Sequence, residues 1–240
     1  MKVVCVIPAR LDSKRFPRKI LSDLNGKTLL ERVWLKANQT GLFHDVIIAL
    51  DAEETASVVN GFGGKWKMTS KNCNSGTERL IELQETFDIE ADVFVNWQAD
   101  EPLICKEMIL DLLRGVYNPL ESIWTLKKEA KPAEFDNPNV VKVVTDKFGR
   151  ALYFSRSKIP FDRDQIGSKV FKHIGLYAYR KAVLAEIKNI SLSNLAEIEK
   201  LEQLAFLENG LQISVYPTHY ESTGVDIPQD LEVCKISLNS

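Results

Sequence analysis

Short apolar runs alternate along this chain with stretches in which apolar side chains return every third or fourth residue. The first run, Val3 to Pro8, is rich in Val and Ile and reads as a strand buried on both faces, which Pro8 is expected to end. Leu29, Leu30, Val33, Trp34 and Ala37 then recur at helical spacing. DVIIALD (45–51) predicts a second strand ending in an acid, AEETASVVNGF a short helix, and GGKWKMTS a turn and third strand. CNSGTERLIELQETF (73–87) predicts a helix with Leu80, Ile81 and Leu83 on its apolar stripe, capped by Ser75 or Thr77. DVFVNWQADEPLI (92–104) predicts a buried strand running out to Asp100 and Glu101, where Pro102 stops it. This alternation of strand and helix gives an α/β fold with a right-handed, mostly parallel sheet.

Further along, residues 105–114 read as a helix, SIWTLKKEA and VVKVVTD as strands, and FGR (148–150) as a hairpin turn into ALYFSRSKIPFDRD. FKHIGLYAYRKAVLAEI is a strand feeding a helix, with His173 and Tyr177 on the same side if extended. LAEIEKLEQLAFLENG (195–210) predicts one amphipathic helix, with Leu201, Leu204 and Leu207 toward the core and Gly210 as its cap. QISVYP is the last strand, and STGVDIPQDLEVCK sets Asp226 in a tight turn before a helix opened by Pro228.

With 45% hydrophobic residues over 240, the chain can bury a core, and disorder is not expected. A formal net charge of -2 argues against a general nucleic-acid binder. The absence of a long apolar run or signal-peptide pattern leads to the expectation of a cytoplasmic protein without membrane insertion. The four cysteines are far apart and form no CxxC pair, so free thiols are expected.

Charge changes the picture at one place. The loop after the first strand carries Arg10, Lys14, Arg15, Arg18 and Lys19 against one acid, Asp12. Ligands of open α/β sheets bind beyond the carboxyl ends of the strands, where this loop must lie, and a triphosphate would suit its mixture of Arg and Lys. A solvated basic loop is the plainer alternative. The glycines of a Walker A loop are absent, so side chains would do most of the holding. Asp100 and Glu101 would share the crevice if their strand is a parallel neighbour. Acid and base together suggest a metal ion bound to phosphates, although an ordinary polar strand end gives the same pattern.

Together PARLDSKRFPRK, MTSKNCNSGTERL, NWQADEP, ALYFSRSKIPFDRD, KHIGLYAYR, LEQL and TGVDIPQDLE stand in an order and spacing that resembles the 3-deoxy-manno-octulosonate (Kdo) cytidylyltransferases, from residue 2 to about 234. The resemblance implies a three-layer fold of the nucleotide-diphospho-sugar transferase type. It forms a single domain, residues 1–240, with residues of about 150–185 as a dimerisation and sugar-binding lobe of a homodimer. It further implies Mg2+-dependent transfer of CMP from CTP to the anomeric hydroxyl of Kdo, for lipopolysaccharide or capsule synthesis.

By the same resemblance, Arg10, Arg15 and Lys19 match the catalytic phosphate-binding loop, and Asp100 and Asp226 match the metal ligands. Ala9, Arg10, Lys19, Ser75 and Gly76 match nucleotide-binding positions; Gln98, Arg163, His173, Tyr177, Glu202 and Gln203 match the sugar-acid site. The chain departs from the family pattern at Arg18 and Ala99, where Gly is usual, at Cys73, where His is common, and at Ala205, where Arg often follows LEQL. Alternatives are the same transfer to an 8-amino octulosonate or a nonulosonic acid, a sugar-1-phosphate nucleotidyltransferase, and a nucleotide-sugar binder without catalysis.

Overall fold

The computed structural model describes every residue except Lys14, Leu192 and Ser240, and the side chain of Asn239. The chain divides into two compact units: Met1–Ile109 with Glu221–Ser240, and Leu110–Tyr220.

The first unit holds the parallel sheet that the alternation predicts. Its strands are β1 (Val3–Ala9), β2 (Asp45–Leu50), β3 (Lys65–Met68) and β4 (Val93–Asn96), in the spatial order β3-β2-β1-β4, all parallel. Between them run α1 (Leu29–Gln39), α2 (Glu53–Phe62) and α3 (Gly76–Phe87); α4 (Lys106–Leu112) then leads into the second unit, and α8 (Pro228–Asn239) returns to the first. The crossovers move outward from β1 to β3 and then return past β1 to β4. Right-handed connections therefore set α1 and α2 on one face and α3 on the other, and the order reverses between β1 and β4. That reversal marks where a ligand crevice opens.

Two boundaries differ from the sequence reading. Pro8 lies inside β1, in register with Ala49 of β2, rather than ending the strand. Its backbone faces the β4 side, as Val6 does two residues earlier, but the last β1–β4 pair is Val6 with Asn96, so the missing N–H meets no strand. β4 is also shorter than expected. After Asn96, the Trp97 N–H takes the Val6 carbonyl at 3.0 Å, and a turn follows in which Glu101 N–H donates to Gln98 O at 3.1 Å. Trp97 is fully buried, and its indole N–H donates to the Glu101 carbonyl at 3.0 Å, closing that turn. Asp100 and Glu101 thus project from a turn beyond the strand.

In the second unit the sheet is mixed. β5 (Ile123–Glu129) pairs antiparallel with β8 (Phe171–Arg180) and parallel with β9 (Ser214–Pro217); β6 (Lys142–Thr145) pairs antiparallel with β7 (Ala151–Ser155) and β8. α5 (Lys181–Lys188) follows β8 directly. The predicted helix over 195–210 is two helices, α6 (Asn194–Glu199) and α7 (Gln203–Glu208), broken at Lys200 with φ 53°. Arg156 accounts for the break, because its Nε donates to the Glu199 carbonyl at 2.7 Å and its Nη2 to that of Lys200 at 3.4 Å. These are carbonyls that a continuing helix would have used. Leu201 and Leu204 are buried as expected, whereas Leu207 is half-buried and Phe206 fills the core beside them. All four cysteines are free, and no described helix is long and apolar enough to cross a membrane.

Candidate active site

The crevice of the first unit is lined by Pro8, Arg10, Lys19, Gly76, Gln98 and Asp100, among others. Each side arrives there for a local reason. Ala9 is fully buried at the end of β1, and the chain then leaves the sheet as the basic loop. Ser75 caps α3, its Oγ accepting the Glu78 N–H at 3.0 Å. Gly76 opens that helix where a Cβ would stand 3.0 Å from Pro8 Cγ and 3.1 Å from Gln98 Nε2, so the absent side chain lets α3 close against the end of β1.

Lys19 is the hub. Its side chain is only 13% exposed, and its Nζ donates to Asp100 Oδ2 at 2.5 Å and to the Val225 carbonyl at 2.9 Å, with Asp226 Oδ1 at 3.5 Å. Arg15 reaches the same Asp226 oxygen at 2.8 Å. Two acids 126 positions apart in sequence, at residues 100 and 226, therefore converge on one cation. Arg18 pairs with Glu54, whereas Arg10 is exposed and has no polar partner among the described residues. Lys14 lies outside the described residues.

The acids also fit a divalent cation. Mg2+ commonly takes one or two carboxylates and completes its shell with water and substrate phosphate oxygens. Asp100 and Asp226 offer two carboxylates aimed at one point, while the described residues contain no ready-made cluster of three or more His, Cys, Asp or Glu. Such a donor set suits an ion shared with a phosphate ligand better than one caged by protein alone.

The other predicted residues lie in the second unit. His173 and Tyr177 do share a side of β8: their ring centroids are 5.3 Å apart, His173 also meets Phe154 edge-on at 5.0 Å, and Tyr177 stacks on Tyr179 at 5.8 Å. Thr125 Oγ1 lies 3.0 Å from His173 Nε2 and donates to the carbonyls of Ile174 and Leu176. Burial pushes the His173 imidazole down to about 3, so it is neutral at pH 7. Burial likewise raises the Tyr177 hydroxyl well above the ordinary phenol range, with the charges of Tyr179 and Glu202 adding to it and the nearby Thr125 hydroxyl, too poorly placed for a full hydrogen bond, acting against them. That hydroxyl is buried without a hydrogen-bond partner among the described residues. Glu202 and Gln203 sit at the start of α7, Gln203 buried. Arg163 stands apart from this cluster, exposed on the loop after β7 and without a polar partner among the described residues.

A family model described as Cytidylyltransferase matches residues 4–213. The 3-deoxy-manno-octulosonate cytidylyltransferase of Thermodesulfovibrio yellowstonii is 45% identical over 253 residues, covering 100% of this chain and 99% of that protein. The chain belongs to the 3-deoxy-manno-octulosonate cytidylyltransferase family. The protein of the same name from Koribacter versatilis is 46% identical over 97% of the chain and 88% of its own length. Among solved structures, CMP:2-keto-3-deoxy-manno-octonic acid synthetase complexed with CTP superposes with a TM-score of 0.94 at 37% identity, covering 100% of this chain and 99% of that one.

For this cytidylyltransferase the departures from the family pattern acquire structural settings. Arg18 adopts φ 59°, the left-handed region that favours glycine, so the usual Gly has a steric reason there. Ala99 is buried without positive φ and needs no such freedom. Cys73 lines the crevice, its thiol 2.8 Å from Glu82 Oε2; burial, then that carboxylate, push it up to about 12 and leave it unreactive as a thiolate. Ala205 is buried within α7.

Two residues around the crevice escaped the sequence reading as a pair. Asp51 and Arg79 are almost wholly buried and paired at 3.1 Å. Asp51 also accepts the Leu11 N–H at 3.0 Å, tying the start of the basic loop to α3. The sequence signals were the acid ending β2 and the Arg of SGTER, but burial could not be read from either. Glu101, read from the sequence as a crevice acid beside Asp100, is half-buried and bonded to Ser222. Desolvation by the surrounding chain pushes its carboxyl up to about 7, and the charges of Asp100 and Asp226 act in the same direction, against a hydrogen bond from Ser222 and the charge of Lys19.

Proposed function

We propose that this protein transfers CMP from CTP to the anomeric hydroxyl of 3-deoxy-manno-octulosonate, releasing pyrophosphate. The observation that carries this reading is the convergence of Lys19, Asp100 and Asp226 at the reversal point of a parallel sheet, in a chain so close to cytidylyltransferases along its whole length.

In the transfer, the sugar hydroxyl oxygen bonds to the α-phosphorus as the bond from that phosphorus to the bridging oxygen of the β-phosphate breaks. The hydroxyl proton is lost, and the electron pair leaves with pyrophosphate. Charge builds on the leaving group, and cations positioned in advance lower the barrier. Lys19 and Arg15 supply these cations from one side, and Arg10, with no acid partner among the described residues, adds a fork for phosphate oxygens. Bound magnesium would supply further neutralisation across the phosphate oxygens, with Asp100 and Asp226 as the residues to hold it. Ala9, Ser75 and Gly76 frame the nucleotide, a reading supported by the place of Ser75 and Gly76 on the crevice wall beside Arg10 and Lys19.

The sugar acid is assigned to Gln98, Arg163, His173, Tyr177, Glu202 and Gln203. Support comes from the Tyr177 hydroxyl, a buried group whose missing hydrogen bond costs about 1–3 kcal/mol until a polar ligand provides it. Arg163, exposed on its loop, is the cation suited to a 2-keto acid's carboxylate.

The proposal includes a cytoplasmic homodimer whose product feeds lipopolysaccharide or capsule synthesis. Exposed Leu152 and Phe161 and the solvent-facing Ile166, on and after β7, support contact between subunits here. A substrate panel tests the sugar assignment. With CTP and Mg2+, pyrophosphate release is expected with Kdo and at least about tenfold slower with 8-amino octulosonate, a nonulosonic acid or a sugar 1-phosphate. Faster release with any of those would overturn it.

A further inference from the structure

Asp226 is carried by a turn that is fastened to the turn carrying Asp100. Val225 N–H donates to the Asp100 carbonyl at 2.8 Å, and the Val225 carbonyl accepts Lys19 Nζ at 2.9 Å. The third fastening is made by side chains alone: Ser222 Oγ donates to Glu101 Oε2. Glu101 is itself fixed through its backbone, whose N–H donates to Gln98 O and whose carbonyl accepts the Trp97 indole. Gly224 completes the fit, since a Cβ there would stand 3.1 Å from Glu101 Oε1. On the far side, Asp230 accepts the N–H groups of Asp226 and Ile227 at 2.9 and 3.0 Å and binds the turn to the start of α8.

We propose that Glu101 is a positioning residue: by accepting the Ser222 hydroxyl it holds the Gly224–Asp226 turn against the Asp100 turn and sets the spacing of the two carboxylates. This inference rests on the reading of Asp100 and Asp226 as metal-holding acids. Two carboxylates can share one ion only over a narrow range of separations, and outer residues that orient ligands commonly change metal affinity by about 10–100-fold. Glu101 is fitted to this task because its acceptor lies one residue beyond Asp100 and grips four residues before Asp226.

The test compares wild type with Glu101→Ala, Glu101→Gln and Ser222→Ala. Manganese binding to the protein with CTP is read by the enhancement of water proton relaxation over that of the manganese–CTP complex without protein, alongside kcat, KM for CTP and thermal melting. Glu101→Ala and Ser222→Ala are expected to raise the manganese dissociation constant about tenfold, with kcat at saturating metal within about threefold of wild type. Glu101→Gln, which keeps an acceptor for Ser222, should restore most of the affinity. An unchanged manganese constant in the first two variants would overturn the inference, as would Glu101→Gln binding no better than Glu101→Ala. If Glu101→Ala fails to fold, Ser222→Ala alone decides. Wild type that binds manganese and CTP but releases no pyrophosphate would instead defeat the functional reading.

Discussion

The crevice loop of the first unit and the interior of the second treat charge in opposite ways. On the loop, Lys19, Arg15 and Arg18 rest on acids that are themselves partly exposed, so each cation can exchange its partner for another anion. In the interior of the second unit, ionic groups are locked into the fold. Lys142 is fully buried and donates to the carbonyls of Asn137, Val140 and Arg156 at 2.6–2.9 Å, and Glu199 is held by Ser155 and by the backbone and flanking carbonyl contacts of Arg156. His173 is kept neutral by burial among aromatic rings. Exchangeable charge suits a polyanion that must bind and leave. Fixed polar groups and rings suit recognition by shape and hydrogen bonding.

The sharpest way to break this contrast is to remove an acid from the exchangeable set. Asp100→Asn is expected to lower kcat about a thousandfold or more while thermal melting moves little, because the residue is partly exposed and sits in a turn. Unchanged kinetics at saturating Mg2+ would mean that its charge is not used. The converse is expected where a charge pair of the first unit is buried. Arg79→Met leaves Asp51 uncompensated and should cost about 3–5 kcal/mol in chemical denaturation, a loss far larger than any exposed pair would give.

His173 sharpens the comparison through pH. The unfolded chain takes up a proton near pH 6.5, but the folded imidazole resists it down to about 3, so stability present above pH 6.5 falls as the solution is acidified through that window. Between pH 6.5 and pH 5 the loss should be about 1.6 kcal/mol, and it should be absent in His173→Gln. Equal acid sensitivity of the two proteins would show that His173 titrates normally. The smallest effect is at Arg18→Gly. Relief of the left-handed conformation opposes the greater chain entropy of glycine and the loss of an exposed ion pair with Glu54, for a net gain of at most about 1 kcal/mol in the melting analysis.

Much of this was written in local pattern. The β1 run, the Ser75 cap, the cationic loop and the Gly-containing turn before Pro228 each carry their own signal, so the parallel sheet and the acids at its crevice were legible residue by residue. What escaped depended on partners distant in sequence. Pro8 continues a strand because β4 has already ended beside it, and β4 ends early because the Trp97 indole finds the Glu101 carbonyl. The long amphipathic pattern over 195–210 hides a break because its cause, Arg156, lies some forty residues earlier. The burial of the Asp51–Arg79 pair and the grip of Glu101 on Ser222 likewise follow from tertiary packing, to which periodicity is blind.

Phosphorus nuclear magnetic resonance of the protein with CTP, Mg2+ and Kdo follows the transfer of CMP at the Lys19–Asp100–Asp226 crevice as it occurs. Pyrophosphate and a new phosphodiester signal should appear in equal amounts, dependent on both Kdo and Mg2+ and lost in Asp226→Asn. Folded wild-type protein that leaves the CTP signals unchanged under these conditions would contradict that transfer.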